Sequence, residues 1–104
     1  MPAKSILSPV HPGEVLLEEF MKPLGISING LARELRVPTT RISAIVNETH
    51  GITADTALRL GRYLSTSSEF WMNLQRDYDL RMAANESRKL IERDVHPRTA
   101  PMVR

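Results

Sequence analysis

A chain of 104 residues with a net charge of +2 has room for one hydrophobic core and not for two. With no cysteine it carries no disulfide framework and no thiolate zinc site, a composition that suits a reducing cytoplasm. No apolar run approaches the roughly 20 residues of a membrane span, and the opening "MPAKSILSPVHPGE" lacks the long apolar centre of a secretory signal, so a cytoplasmic protein without membrane contact is expected.

The expected fold class is all-α. Val, Ile, Tyr and Phe never alternate with polar residues over the length of a strand, and the one Asn-Gly pair, Asn29-Gly30, lies inside a helical pattern. After an N-terminal arm of residues 1–11, Pro12 suits the first position of a helix that runs to Pro23 or Leu24. At about 100° per residue, Leu16, Leu17, Phe20, Met21 and Leu24 share its core arc, with Glu18, Glu19 and Lys22 opposite. Ser27 is placed to cap a second helix ending near Leu35. Ile28, Leu31, Ala32 and Leu35 form its inner face, and Ala32 permits close approach of another helix. "RVP" then breaks the pattern, because Pro38 disfavours helical geometry at Val37 but can itself begin a new helix. Two short helices joined by about three residues make a helix-turn-helix.

The third helix has a distinctive outer face. With Ile42, Ile45 and Val46 turned inward, Thr40, Ser43, Ala44 and Asn47 turn outward, flanked by Thr39 and Arg41 at the first turn. A plain amphipathic helix on a solvated surface usually presents Lys, Glu or Gln there. A helix entering a major groove needs short side chains for close approach, hydroxyl and amide groups for base edges, methyls for thymine, and no carboxylate against the phosphates. Thr39, Thr40, Arg41, Ser43, Ala44 and Asn47 are therefore the candidate base-reading residues. Ser27 at a helix N-terminus, Arg33, Arg36, and Thr49 and His50 in the following loop are the candidate phosphate contacts. Charge placement agrees: Ser27 to Arg62 holds five arginines against Glu34, Glu48 and Asp55, while Glu14 to Gly25 holds three glutamates against Lys22. On charge alone, ordinary solvated surface explains the pattern equally well.

Thr53 can cap a fourth helix, "ADTALRLGRYL", with Asp55 in its first turn, Ala57, Leu60, Gly61 and Leu64 inward, and Arg59 and Arg62 outward; Gly61 marks a tight crossing. A fifth helix follows "STSS", capped by Ser67 or by Thr66, the latter forming a capping box with Glu69. Phe70, Trp71, Leu74, Tyr78 and Met82 make its core stripe, a packing role that fits Trp71 and Tyr78 better than base stacking does. Leu80 falls off that stripe, so Leu80 and Met82 are the candidate dimer contacts. The domain thus spans residues 12–84. Residues 85–104, with five basic and three acidic side chains plus Pro97 and Pro101, are expected to form a weakly ordered basic tail.

The stretch from His11 to Leu80 resembles the HigA family of antitoxins, a branch of the Cro/C1-type (XRE-like) helix-turn-helix group. The resemblance is carried by "HPGE", "RI..IV", "ITADTALRL" and "EFWMNLQ.DYDL". It implies a five-helix, lambda repressor-like domain and a homodimer on double-stranded operator DNA of its own operon. It also implies neutralisation of a HigB-type toxin, a ribosome-dependent mRNA-cleaving nuclease. Ser65 and Ser68 stand where the family commonly has Gly and Pro, which bears on helix-end geometry rather than on DNA contact. No toxin-contact residue is carried over.

His11, His50 and His96 are too far apart for a ligand pattern and are expected in loops, so no metal or other cofactor is implied. No Gly-rich elbow or phosphate loop accompanies the Ser, Asp and His present, which argues against an enzyme. Three functions stay open on the sequence: an antitoxin that represses its own operon, a stand-alone phage-type repressor without a toxin partner, and an interaction module that does not bind DNA.

Overall fold

The computed structural model describes residues 8–99, which form five helices and no strand. Residues 1–7 of the expected arm and 100–104 of the expected tail lie outside the described residues.

The first helix, α1, covers residues 12–24 in three consecutive stretches: α-helical Pro12–Val15, π-helical Leu16–Met21 and α-helical Lys22–Leu24. Pro12 takes the first helical position, and His11 caps it through Nδ1, which accepts the Gly13 N–H at 2.9 Å. His11, outside the helix as expected, is nonetheless 2% exposed and edge-on to the Tyr78 ring. The π segment corrects the expected core arc. Bonds from i to i+5 turn each residue by less than the roughly 100° of an α-helix, so side chains beyond Met21 lag behind the wheel. Leu16 and Met21 are buried, Leu17 and Phe20 pack at the edge of the core, and Leu24 is 61% exposed.

Helix α2, Ile28–Leu35, begins at Ser27, whose Oγ accepts the Gly30 N–H at 2.9 Å, and ends at Arg36 in the left-handed region. Helix α3, Thr39–Val46, follows Pro38, which stands one residue earlier than expected, at the N-cap with extended backbone. Helix α4, Ala54–Leu64, is capped by Thr53 and ends at left-handed Ser65. Gly61 marks a close approach as expected, but to the turn after its own helix: a Cβ there would lie 3.0 Å from the Thr66 carbonyl oxygen and 3.2 Å from the Ser68 nitrogen.

Helix α5, Ser68–Asp94, is 27 residues long, roughly 40 Å at 1.5 Å per residue. Its cap is Ser67, whose Oγ accepts the Phe70 N–H at 3.0 Å. The alternative capping box is not formed, because the Thr66 hydroxyl accepts the Trp71 indole N–H at 2.8 Å instead. Of the expected stripe only Trp71 is fully buried. Leu74, Tyr78 and Met82 are half-buried, and Phe70 is 36% exposed at the rim of an aromatic cluster with Phe20 and Trp71. The helix also runs ten residues past the boundary placed after residue 84, so 85–94 are regular helix rather than irregular tail.

One core joins these elements: Leu16 and Met21 from α1, Leu31, Ala32 and Leu35 from α2, Ile42 and Ile45 from α3, Ile52, then Ala57 and Leu60 from α4 and Trp71 from α5. The "HPGE" corner fixes how α1 meets α3. A Cβ on Gly13 would run into the Ile45 carbonyl group, so only glycine lets the start of α1 rest against the end of α3. Gly13→Ala is expected to cost about 1–3 kcal/mol, as overpacking against backbone does. Urea denaturation followed by circular dichroism checks this, and an unchanged midpoint would mean that α1 can withdraw from α3 freely.

Candidate nucleic-acid interface

The turn between α2 and α3 is built by local chemistry. Arg36 turns the chain out of α2 with φ 61°, its N–H bonding to the Arg33 carbonyl, and Val37 N–H bonds to the Ala32 carbonyl. Pro38 then fixes the entry angle of α3. Ile42 and Ile45 are buried, which aims the opposite side of α3 at solvent. Thr39, Thr40, Arg41 and Asn47 are exposed, and Ser43 and Ala44 are half-buried. No carboxylate lies between Thr39 and Val46.

The end of this helix is closed from several sides. Asn47 Nδ2 donates to Ser43 Oγ at 3.2 Å, pairing two of the candidate base readers. The backbone N–H groups of Thr49 and His50, at 2.9 and 3.2 Å, and the Thr49 hydroxyl at 3.1 Å all donate to the Ala44 carbonyl. Those donors are therefore engaged within the loop, and the exposed His50 side chain is what this corner presents outward. Gln75 of α5 accepts the Ile52 N–H at 2.6 Å, which ties the loop to the long helix.

The fold brings Thr40, Arg41, Ala44 and His50 to one shallow concavity, shared with Thr53 and Asp55 from the start of α4. Ser27, Arg33 and Arg36 are exposed at the two ends of α2. Leu80 and Met82 belong to a different element, α5, where Leu80 is 62% exposed and Met82 half-buried.

Two residues of this region were not recognised in the sequence. Asp55 Oδ2 accepts both Arg41 Nη1 at 2.8 Å and Arg59 Nε at 2.9 Å, and Arg59 Nη1 reaches the Leu35 carbonyl at 2.8 Å. Arg59, expected to point freely outward, instead joins α4 to the end of α2. The Arg59 hydrogen bond above all holds the Asp55 carboxyl below its ordinary range; loss of hydration acts the other way, and the Arg41 hydrogen bond adds a smaller lowering. The four-residue spacing of Asp55 and Arg59 was the available signal for this pair. The reach from Arg41 to Asp55 had none, since it spans two helices.

Among the described residues no helix is long and apolar enough to cross a membrane, and no group of His, Asp or Glu side chains is placed to hold a metal ion. Residues 17–71 match the helix-turn-helix family model. Virulence-associated protein I of Dichelobacter nodosus is 47% identical over 87 residues, covering 84% of this chain and 81% of its own. A solved addiction module antidote protein of the HigA family from Coxiella burnetii is 49% identical with a TM-score of 0.82, covering 88% of this chain and 99% of its own. The Pseudomonas aeruginosa antitoxin HigA, solved with the higBA promoter, is 48% identical with a TM-score of 0.84, covering 86% and 97%. With the turn, the buried inner face of α3 and its carboxylate-free outer face in place, the chain belongs to the helix-turn-helix family and, within it, to the HigA family.

Proposed function

We propose that this protein is an antitoxin that represses its own operon by binding operator DNA as a homodimer and that neutralises a HigB-type mRNA-cleaving toxin. The observation that carries the DNA half of this reading is the outer face of α3, where Thr39, Thr40, Arg41, Ser43, Ala44 and Asn47 are the base-reading side chains. Ser27, Arg33, Arg36 and, at the Thr49-His50 corner, the outward His50 side chain are the phosphate contacts on either side. A relative of 48% identity solved with a promoter supports the same mode of binding. A single half-site gives a reader this small little affinity, so two copies bind half-sites separated by one helical turn, about 34 Å, or a multiple of it. Exposed Leu80 and half-buried Met82 on α5 are the contact between the copies in this reading. The toxin half rests on family membership.

The test is a mobility-shift titration on the DNA upstream of the chain's own gene against random duplex. Binding is expected to prefer the upstream DNA and to weaken with salt. Arg33 and Arg36 from each of two copies give a slope of log affinity on log salt of roughly −3 to −4. Equal affinity for random DNA would overturn the reading.

A further inference from the structure

We infer that Asp55 positions Arg41 to read a guanine, so that operator preference at one G·C pair of each half-site is set by a pair of residues from two helices and not by α3 alone. The inference rests on the reading of α3 as the helix in the major groove. Arg41 is the third residue of α3, in the N-terminal turn from which recognition helices address base edges. Arginine recognises guanine by two parallel N–H bonds to O6 and N7, which requires the plane of its guanidinium to be set. A long side chain on a surface is not set unless something holds it.

Here the hold is itself anchored. The Asp55 oxygen that accepts Arg41 also accepts Arg59, and Arg59 donates onward to the Leu35 carbonyl at the end of α2. The chain of contacts thus runs from α2 through α4 to the first turn of α3, and a carboxylate fixed from behind gives Arg41 a fixed bearing. Asp55 takes a single nitrogen of Arg41, Nη1, and leaves the rest of the fork for a ligand. Both side chains are partly exposed, 40% and 55%, and both line the concavity that holds Thr40 and Ala44. Like any aspartate the carboxyl is an anion at neutral pH, and its two arginines hold its titration below the ordinary range. A carboxylate near DNA also repels phosphate, so Asp55 weakens general affinity while sharpening preference.

The test selects a preferred sequence from a randomised duplex pool with the full-length wild-type protein. Affinities are then measured for that sequence and for all its single base-pair variants, using wild type, Arg41→Ala, Asp55→Ala and Asp55→Asn. Wild type is expected to favour G·C at one position per half-site by about 5- to 150-fold. All three variants are expected to lose that preference while keeping those at other positions, and the two Asp55 variants to bind random duplex at least as tightly as wild type. Asp55→Asn keeps the side-chain shape, so the comparison stands if Asp55→Ala does not fold. Retention of the guanine preference in both Asp55 variants would overturn the inference, including the case in which they merely bind all DNA more tightly, and so would its retention in Arg41→Ala. A pool that yields no preferred sequence with wild type would instead overturn the reading of α3 as a groove helix.

Discussion

Replacing Thr40 with Glu is expected to abolish operator binding while leaving the fold standing. Thr40 is exposed on α3, beside Arg41 and Ala44, and its side chain is outside the core. Loss of a good base contact costs roughly 1–3 kcal/mol, and a carboxylate facing base edges and phosphates adds repulsion to that loss. Stability should change by no more than about 0.5 kcal/mol, as for most solvent-facing substitutions. Mobility shift on the upstream DNA reads the first effect and thermal unfolding the second. Co-expression with the toxin then separates the two proposed activities, and rescue is expected to survive. A folded Thr40→Glu protein that no longer rescues would place toxin binding on the same face as DNA.

The second large effect is on stability. Trp71→Ala should cost about 3–5 kcal/mol, the range for a large aromatic removed from a core. Trp71 is 0% exposed, its ring lies 5.2 Å from that of Phe20 and 5.0 Å from that of Phe70, and its indole N–H is satisfied by Thr66. Losing it opens a cavity where α1 meets α5 and unties the α4–α5 turn. Against a total of about 5–15 kcal/mol for a domain, such a loss removes much of the margin. Urea denaturation by circular dichroism is the appropriate measurement, since Trp71 is the chain's only tryptophan and its fluorescence disappears with it. Trp71→Phe keeps a ring but no donor and should fall between. An alanine variant with a midpoint equal to wild type would mean that the aromatic cluster is not the centre of this core.

The helix starts were legible because each has a local signature: Ser27 and Thr53 accept the backbone N–H groups that their positions promised. The inner and outer faces of α3 were legible for a similar reason, since eight residues of regular α-helix obey the wheel. Leu24 was misplaced because a wheel assumes one turn angle, and six π-helical residues shift the phase without any Gly or Pro inside them to announce it. The final turns of α5 were missed for a different reason. Residues 85–94 have no inward stripe, and their helix rests on good helix formers such as Glu86, Arg88, Lys89, Leu90 and Glu92, which periodicity does not detect. The candidate site was legible as a face but not as a network. Asp55 was read for its place in the first turn of α4; its partner Arg59 stands four residues on in the same helix, but Arg41 reaches it from α3, a fact of tertiary packing.

Three of the chain reversals in this fold are made without glycine: Arg36, Glu48 and Ser65 sit at φ of 61°, 64° and 60°. A left-handed L-residue costs roughly 1–2 kcal/mol, more than the approximately 0.4–1 kcal/mol that a glycine would add to the entropy of the unfolded chain. Ser65 lies in the turn between α4 and α5, outside the proposed DNA contacts, so at this corner stability can be traded without altering those contacts. Differences of about 1–2 kcal/mol change cellular abundance several-fold through the fraction exposed to proteases. A single codon change at Ser65 can therefore adjust how much of this protein a cell retains, independently of the DNA contacts proposed for α3.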